Sequence, residues 1–142
     1  MQHLILALAL MFSSLMLAQG NSTSKTNGSN LTVSVLNALS DDGEVRFALY
    51  TKENFMKQPL QASSSKIVNG KSTVIFTGIP EGFYAVLCFH DENNNGKMDF
   101  DLNGMPIESY GNSNNVYNYG PPQFDLSKFE VLKSDVTLEI KF

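Results

Sequence analysis

One segment of the chain carries side chains with metal-ligand chemistry, the run DENNNGKMD at residues 91–99. Side chains with oxygen atoms occupy its positions 1, 3, 5 and 9, which are Asp91, Asn93, Asn95 and Asp99. Gly96 stands where a calcium loop turns sharply, and the next residue, Lys97, can offer its backbone carbonyl. Calcium takes about six to eight oxygen ligands, which the alternating side chains of a tight loop can supply. The spacing therefore predicts a calcium-binding loop.

The match to a known calcium loop is incomplete. Position 12, which carries a bidentate glutamate in an EF-hand, is Leu102 in this chain. We therefore expect Asp101 or Glu108 to supply the missing oxygen atoms from outside the loop. Because two of the ligands are neutral amides, the expected affinity is weak, with a Kd of about 10⁻⁴ to 10⁻³ M. The sequence leaves open an alternative, a solvated Asn-Gly turn held by side-chain-to-backbone hydrogen bonds.

Residues 105–124 are a second candidate, a ligand-binding surface. Aromatic side chains stand in this segment among Asn, Gly and Pro, and they are Tyr110, Tyr117, Tyr119 and Phe124. Exposed tyrosines beside amide side chains are typical of surfaces that bind carbohydrate or peptide. In the competing interpretation, the same rings pack the long loop onto the end of the domain.

The sequence gives little support to a catalytic function. Cys88 and His90 are the residue types of a nucleophile and its base, but Cys88 stands in an apolar run that is typical of a buried, inert thiol. One Cys and one His do not complete a tetrahedral zinc site. No spacing selects a carboxylate pair for glycoside hydrolysis among Glu92, Asp99, Asp101 and Glu108. We expect no enzyme, and a hydrolase is the least favoured function.

The N-terminal segment is typical of a signal peptide. Residues 4–18 are an apolar run interrupted by two serines, and small residues allow cleavage after residue 18 or 20. We expect residues 1–18 to be the signal peptide and residues 19–30 to be a flexible polar leader. The run is short for a bilayer span and lacks a lipoprotein cysteine, so we expect no stable membrane insertion after cleavage. The sequence therefore predicts a secreted or periplasmic protein.

From residue 31 onward, apolar residues recur with a period of two, as in half-buried strands. The predicted strands are residues 31–39, 44–50, 61–67, 72–78, 83–90, 124–131 (as one strand or two short pieces) and 136–142. Asp41-Asp42-Gly43 predicts a hairpin between the first two strands, and Asn69-Gly70 predicts a second turn. These elements predict one all-β domain over residues 31–142, an antiparallel β-sandwich of immunoglobulin-like or transthyretin-like form with about seven strands.

A series of short motifs runs through residues 76–129. They are FTGIPEGFYAV at 76–86, FHDEN at 89–93, NGKMD at 95–99, GMP at 104–106, Glu108, YG at 110–111, SNN at 113–115 and GPPQF at 120–124. In order and spacing they resemble a family of small exported bacterial proteins known as domain of unknown function 2141. Asn112 departs from that pattern, which has an aromatic residue there. The first motif is also similar to carboxypeptidase-regulatory and collagen-adhesin B-type sandwiches. The resemblance implies export and a sandwich fold, and it implies no activity.

The net charge and the cysteine count exclude some of the remaining functions. The formal net charge is −4 and the 10 basic residues are scattered, so no nucleic-acid partner is expected. The one cysteine excludes an intramolecular disulfide, which leaves a bound metal or a larger core as the means of stabilising the domain. The sequence predicts a calcium-stabilised structural or interaction module, whose partner is an unknown protein or glycan. Its oligomeric state is not specified by the sequence.

Overall fold

The computed structural model describes residues 28–142, so the predicted signal peptide and most of the predicted leader lie outside the described residues. The strands are β1 (Ser29–Val35), β2 (Glu44–Tyr50), β3 (Gln61–Lys66), β4 (Ser72–Ile79), β5 (Gly82–Asp91), β6 (Tyr110–Asn112), β7 (Phe129–Val131) and β8 (Val136–Ile140). A short helix, α1 (Phe124–Ser127), precedes β7.

The strands form two sheets that pack on one another. The first sheet has the order β4-β1-β8, and the second has the order β3-β2-β5-β6 with β7 paired to β5. All pairings are antiparallel except that of β1 with β8. Alternate residues of the strands fill the core, among them the fully buried Val33, Phe47 and Val86. These findings confirm the predicted antiparallel β-sandwich, with eight strands in the described part of the chain instead of about seven.

The first two strands do not form the hairpin that the turn at residues 41–43 predicts. β1 lies between β4 and β8 in one sheet, whereas β2 lies between β3 and β5 in the other. The chain therefore crosses between the sheets at this turn, and it crosses again between β3 and β4. Asp41 fastens the two crossings together, because its carboxylate accepts the backbone N–H groups of Asn69 and Gly70 at 2.9 and 2.8 Å.

Several element boundaries also differ from the predicted ones, and β1 ends at Val35 instead of residue 39. β1 begins two residues early, at Ser29, because Asp135 accepts the backbone N–H of Asn30 at 2.7 Å and holds it beside the start of β8. The segment 124–131 forms α1 and β7 instead of strand alone, and β6 lies within a segment expected to be loop. Among the described residues, no helix has the length and hydropathy needed to cross a membrane.

The central strand β5 positions the chemistry of the domain. Its inward residues, such as Val86 and Cys88, are buried in the core, while Leu87 and Phe89 point to the outer face and are half-buried. Both faces of β5 are thus apolar, which explains its continuous hydrophobic run. The strand ends at Asp91, where the acidic loop begins.

Candidate functional site

Asp91 anchors the acidic loop to the sheet. The residue is fully buried at the end of β5, and Glu44 of β2 is its cross-strand partner. One carboxylate oxygen, Oδ1, accepts the backbone N–H of Asn95 at 3.0 Å, and Oδ2 accepts that of Gly96 at 2.9 Å. Gly96 has a φ of 79°, a left-handed conformation that glycine adopts without steric cost. The first ligand position predicted from the sequence therefore fixes the path of the loop.

Arg46 of β2 is a second partner of Asp91, and the sequence pattern did not place it in the site. Its Nε donates to Asp91 Oδ2 at 2.8 Å, and its Nη2 lies 2.9 Å from Glu44 Oε1. Burial raises the pKa of Asp91, but hydrogen bonds from Arg46 and from the backbone of Gly96 and Asn95 outweigh it, so the pKa is lowered. The buried carboxylate is therefore ionised at neutral pH.

Asp99 gathers the amide side chains of the loop. Asn93 Nδ2 donates to Asp99 Oδ2 at 2.7 Å, and Asn95 Nδ2 lies 2.9 Å from both Asp99 oxygens. The amide oxygens accept backbone N–H groups, that of Asn95 at Asn93 and that of Lys97 at Asn95. A side-chain amide presents oxygen on one side and nitrogen on the other, so a half-turn of either amide exchanges donor for acceptor toward Asp99. Residues 93, 95 and 99 thus meet in one place, as the spacing predicts.

Glu108 joins the loop from the chain that returns to β6. Its Oε1 accepts the backbone N–H of Glu92 at 3.2 Å, and its Oε2 accepts that of Asp99 at 3.0 Å. The side chain is buried. Asp101, the other residue expected to complete the site, instead accepts the backbone N–H groups of Asn103 and Met105, both at 2.9 Å. Of the two expected additions, the structure brings Glu108 to the loop and uses Asp101 in a separate turn.

The loop brings many oxygen atoms together, but among the described residues its carboxylates do not form the kind of cluster that usually holds a metal ion. Within residues 28–142, no group of three or more His, Cys, Asp or Glu side chains is placed to hold a metal ion. A cation at this loop therefore needs amide and carbonyl oxygens as well as carboxylates. Calcium accepts such a mixed oxygen set with loose geometry, and the residue that offers a carbonyl at the seventh position is Lys97.

Cys88 and His90 are both buried in the fold. Burial raises the pKa of the Cys88 thiol far above its ordinary value, so the reactive thiolate is scarce. The fully buried His90 ring donates from Nε2 to the Asp42 carbonyl at 2.7 Å and stacks on Phe142, with ring centroids 6.3 Å apart. Since a carbonyl only accepts, Nε2 of the ring carries a proton. His90 thereby ties the turn at residues 41–43 to β5.

The aromatic residues predicted as a ligand surface separate into two groups. Tyr117 and Tyr119 are largely or fully exposed, and Tyr110 on β6 is partly exposed. Phe124 is buried and packs edge-on against Phe55 with ring centroids 5.6 Å apart. Phe124 therefore contributes to packing and, unlike the three tyrosines, exposes little of its ring to solvent.

Comparisons with known proteins give a family and a distant structural likeness. A family model described as an uncharacterized protein conserved in bacteria (DUF2141) matches residues 33–139. No curated protein sequence matches the chain. Two structures of a pilus-presented adhesin, Spy0125 (Cpa), are 16% identical, with TM-scores of 0.28 and 0.30. The match covers 81% of this chain and 27% of the adhesin chain, so this chain spans about a quarter of that protein. A likeness this distant supports no conclusion about activity.

Proposed function

This chain belongs to the uncharacterised bacterial family DUF2141, and we propose that it is an exported structural or interaction module stabilised by calcium bound at the loop of residues 91–99. The signal-like residues 1–18 support the export of the domain. In this proposal the chain has no catalytic activity, and the protonated, buried Cys88 thiol supports that assignment. The partner of the module is a protein or a glycan outside the cytoplasm.

The oxygen-bearing side chains gathered on one loop, carboxylates together with the amides of Asn93 and Asn95, carry the calcium proposal. Asp91 and Asp99 lie within the loop, and Glu108 reaches it from outside with both carboxylate oxygens on loop N–H groups. Arg46 contacts Asp91 and is shared with Glu44, so it offsets only part of this negative charge. A divalent cation relieves the remaining repulsion and replaces donor contacts with oxygen ligands. Calcium fits this mixed oxygen set better than magnesium, which prefers few protein ligands and several waters.

Calcium would hold a long connection in place. Between the end of β5 and the start of β6, the chain runs from residue 92 to residue 109 without a strand or helix. Glu108 is close to the far end of this connection, and Asp91 is at its beginning. An ion that binds both residues closes the connection against the sheet, which serves a domain whose one cysteine is free and buried.

We expect calcium to raise the melting temperature of the protein. With a Kd of about 10⁻⁴ to 10⁻³ M, a calcium concentration of about 10 mM stabilises the folded state by roughly 1.4 to 2.7 kcal/mol. For a domain of this size, that free energy corresponds to roughly 5–10 °C. The measurement is thermal unfolding followed by circular dichroism, with calcium and with a chelator.

Glu108→Gln is the test variant, and Glu130→Gln is its matched control. Glu130 is exposed on β7, away from the loop, and its substitution removes the same charge. We expect the calcium-induced rise to be lost in Glu108→Gln and retained in Glu130→Gln, whatever their melting temperatures without calcium. No rise in the unsubstituted protein would reject calcium and leave a loop closed by hydrogen bonds and Arg46.

A second candidate function is the binding of carbohydrate or peptide by exposed tyrosines. The observation in its favour is that Tyr117 and Tyr119 face solvent, where neither ring contributes to the core. For a ligand found on a glycan or peptide array, we expect Tyr117→Ala and Tyr119→Ala each to weaken binding about tenfold and to leave the melting temperature unchanged. The control is Leu102→Ala, since Leu102 is also fully exposed. Arrays without a binder, or binders indifferent to both tyrosines, would reject this candidate.

A further inference from the structure

A groove of about 910 Å³ lies on the outer face of the five-stranded sheet. We call it the outer groove. Its floor is formed by outward residues of two adjacent strands, Ala48 of β2 with Leu87 and Phe89 of β5. Its walls come from the connection between residues 96 and 106 and from residues 120–122. The volume is at the upper end of the range in which pockets enclose one small molecule.

The depth of the outer groove follows from the strand sequences. In the register of β2 and β3, Ala48 is paired with Ala62, so two small side chains stand side by side. On the other side, Ala48 is paired with Leu87, which is larger and half-buried. Small residues next to large ones leave a depression in the sheet surface, and the flanking loops raise its rim. The core of the sandwich does not explain these apolar residues, because they point away from it.

The walls also present apolar side chains to solvent. Phe100 is 56% exposed and Met105 is 63% exposed, and both line the groove. Met98, Pro106 and Tyr110 add further apolar surface. Contiguous exposed apolar surface of this kind is typical of a binding site, and methionine adapts its shape to varied partners.

The charge of the outer groove limits the ligands that it suits. Among the residues that line it, Arg46 is the charged side chain, and its guanidinium is already engaged by Asp91 and Glu44 at 2.8 and 2.9 Å. An anionic ligand would have to compete with two carboxylates for this group, and a cationic ligand would meet Arg46 itself. The groove therefore favours a neutral ligand.

The hydrogen-bonding groups that line the outer groove favour a small apolar ligand over a sugar or a peptide. The backbone groups of β2 and β5 along the floor are paired in the sheet, so they offer no ladder to an added strand. The side chains that offer hydroxyl groups are Tyr50, Ser63, Ser64 and Tyr110. A sugar needs a denser set of amide and carboxylate partners around its hydroxyls than this lining supplies.

We propose that the outer groove binds a neutral apolar molecule with lipid-like chemistry, which contacts Ala48, Leu87 and Phe89 on the groove floor. The binding site goes beyond the proposed function, because neither its floor nor its apolar character depends on calcium. Met98 and Gly96 belong to the acidic loop, so calcium orders part of one wall if it binds.

The test uses a neutral fluorescent probe, 1-N-phenylnaphthylamine, with the purified protein. We expect probe fluorescence to rise on binding and to fall when dodecanol displaces the probe. Phe89→Gln and Met105→Gln should each weaken probe binding about tenfold, since each removes an apolar contact. Met105 lies on an exposed loop, so its substitution reports binding without a loss of folding.

The matched control is Ile75→Gln. Ile75 is 59% exposed on the outer face of the other sheet, and we expect its substitution to leave probe binding unchanged. The proposal is overturned if the probe does not bind, if all three variants bind it equally, or if an oligosaccharide or proline-rich peptide displaces it and dodecanol does not. Repeating the titration with a chelator separates the two proposals: binding retained without calcium supports the groove even if calcium does not affect melting.

Discussion

Replacing Gly43 with alanine is expected to remove most of the stability of the domain. Gly43 has a φ of 67°, and a Cβ added there would lie 1.9 Å from the Asp91 carbonyl oxygen and 2.8 Å from Glu92 Cα. Both are backbone atoms, which cannot rotate away as a flexible side chain can. The turn and the first residues of the acidic loop must therefore separate, with a loss of about 4 kcal/mol or more. Urea unfolding of the variant measures this loss.

Gly104→Ala is the control that separates contact from backbone strain. Its φ is 79°, close to that of Gly43, but an added Cβ would have no atom within 4 Å beyond those of its two chain neighbours. We expect Gly104→Ala to cost only about 1 kcal/mol, the cost of the left-handed conformation itself. The difference between the two variants then reports the approach of the turn to β5. Equal losses in both variants would show that the contact with Asp91 and Glu92 contributes nothing.

The sequence predicted the strands better than their partners. A period of two in the apolar residues is a local property, and it located β2 and β8 within two residues. The predicted hairpin of β1 with β2 was wrong because the same turn sequence can join two strands of one sheet or two strands of different sheets. The contacts that decide it are distant in sequence, such as the bonds from Asp41 to the turn at Asn69-Gly70. α1 is one turn long and gives no periodic signal.

The candidate site, like the strands, was predicted where its contacts are local in sequence and was missed where they join distant parts of the chain. The spacing of Asp91, Asn95 and Asp99 predicted a calcium-binding loop, and the hydrogen bonds that fold this loop are local in sequence. The role of Arg46 was missed because it depends on the register of β2 against β5, which no local pattern contains. The choice of Glu108 over Asp101 depends likewise on the path of the returning chain. The outer groove is less predictable still, since four strands and three connecting segments form it.

Asp91→Asn is expected to destabilise the domain by about 3 kcal/mol at neutral pH, measured with a chelator present so that calcium plays no part. The substitution keeps the shape of the side chain and removes its charge. Its new NH₂ group must face either Arg46 Nε or the backbone N–H of Asn95 or Gly96, all of which are donors. The Asp91 carboxylate accepts three hydrogen bonds, so in the variant the NH₂ group faces another donor with no acceptor between them. Arg46 also loses its buried, negatively charged partner.

The control is Asp125→Asn, at a carboxylate that also has a basic partner, Lys128, but lies in solvent. Asp125 Oδ1 is 3.0 Å from Lys128 Nζ, and the pKa of Asp125 is lowered by that hydrogen bond and by the charge of Lys128. Because water screens an exposed pair, we expect a much smaller loss than for Asp91. Similar losses in the two variants would contradict the structural role of Asp91.

The pH dependence of the Asp91 effect provides a second readout in the same samples. The pKa of Asp91 is lowered in the folded state, so its contribution is complete above the unfolded value of about 3.9 and is lost as the pH falls toward the folded value. The difference in unfolding free energy between the unsubstituted protein and Asp91→Asn should therefore be constant near neutral pH and should shrink below about pH 4. A gap that persists unchanged into acid would mean that the charge of Asp91 is not what stabilises the fold, because protonation would then remove nothing. A shrinking gap identifies the ionised carboxylate, held by Arg46 and two backbone N–H groups, as the group that closes the acidic loop before any metal binds.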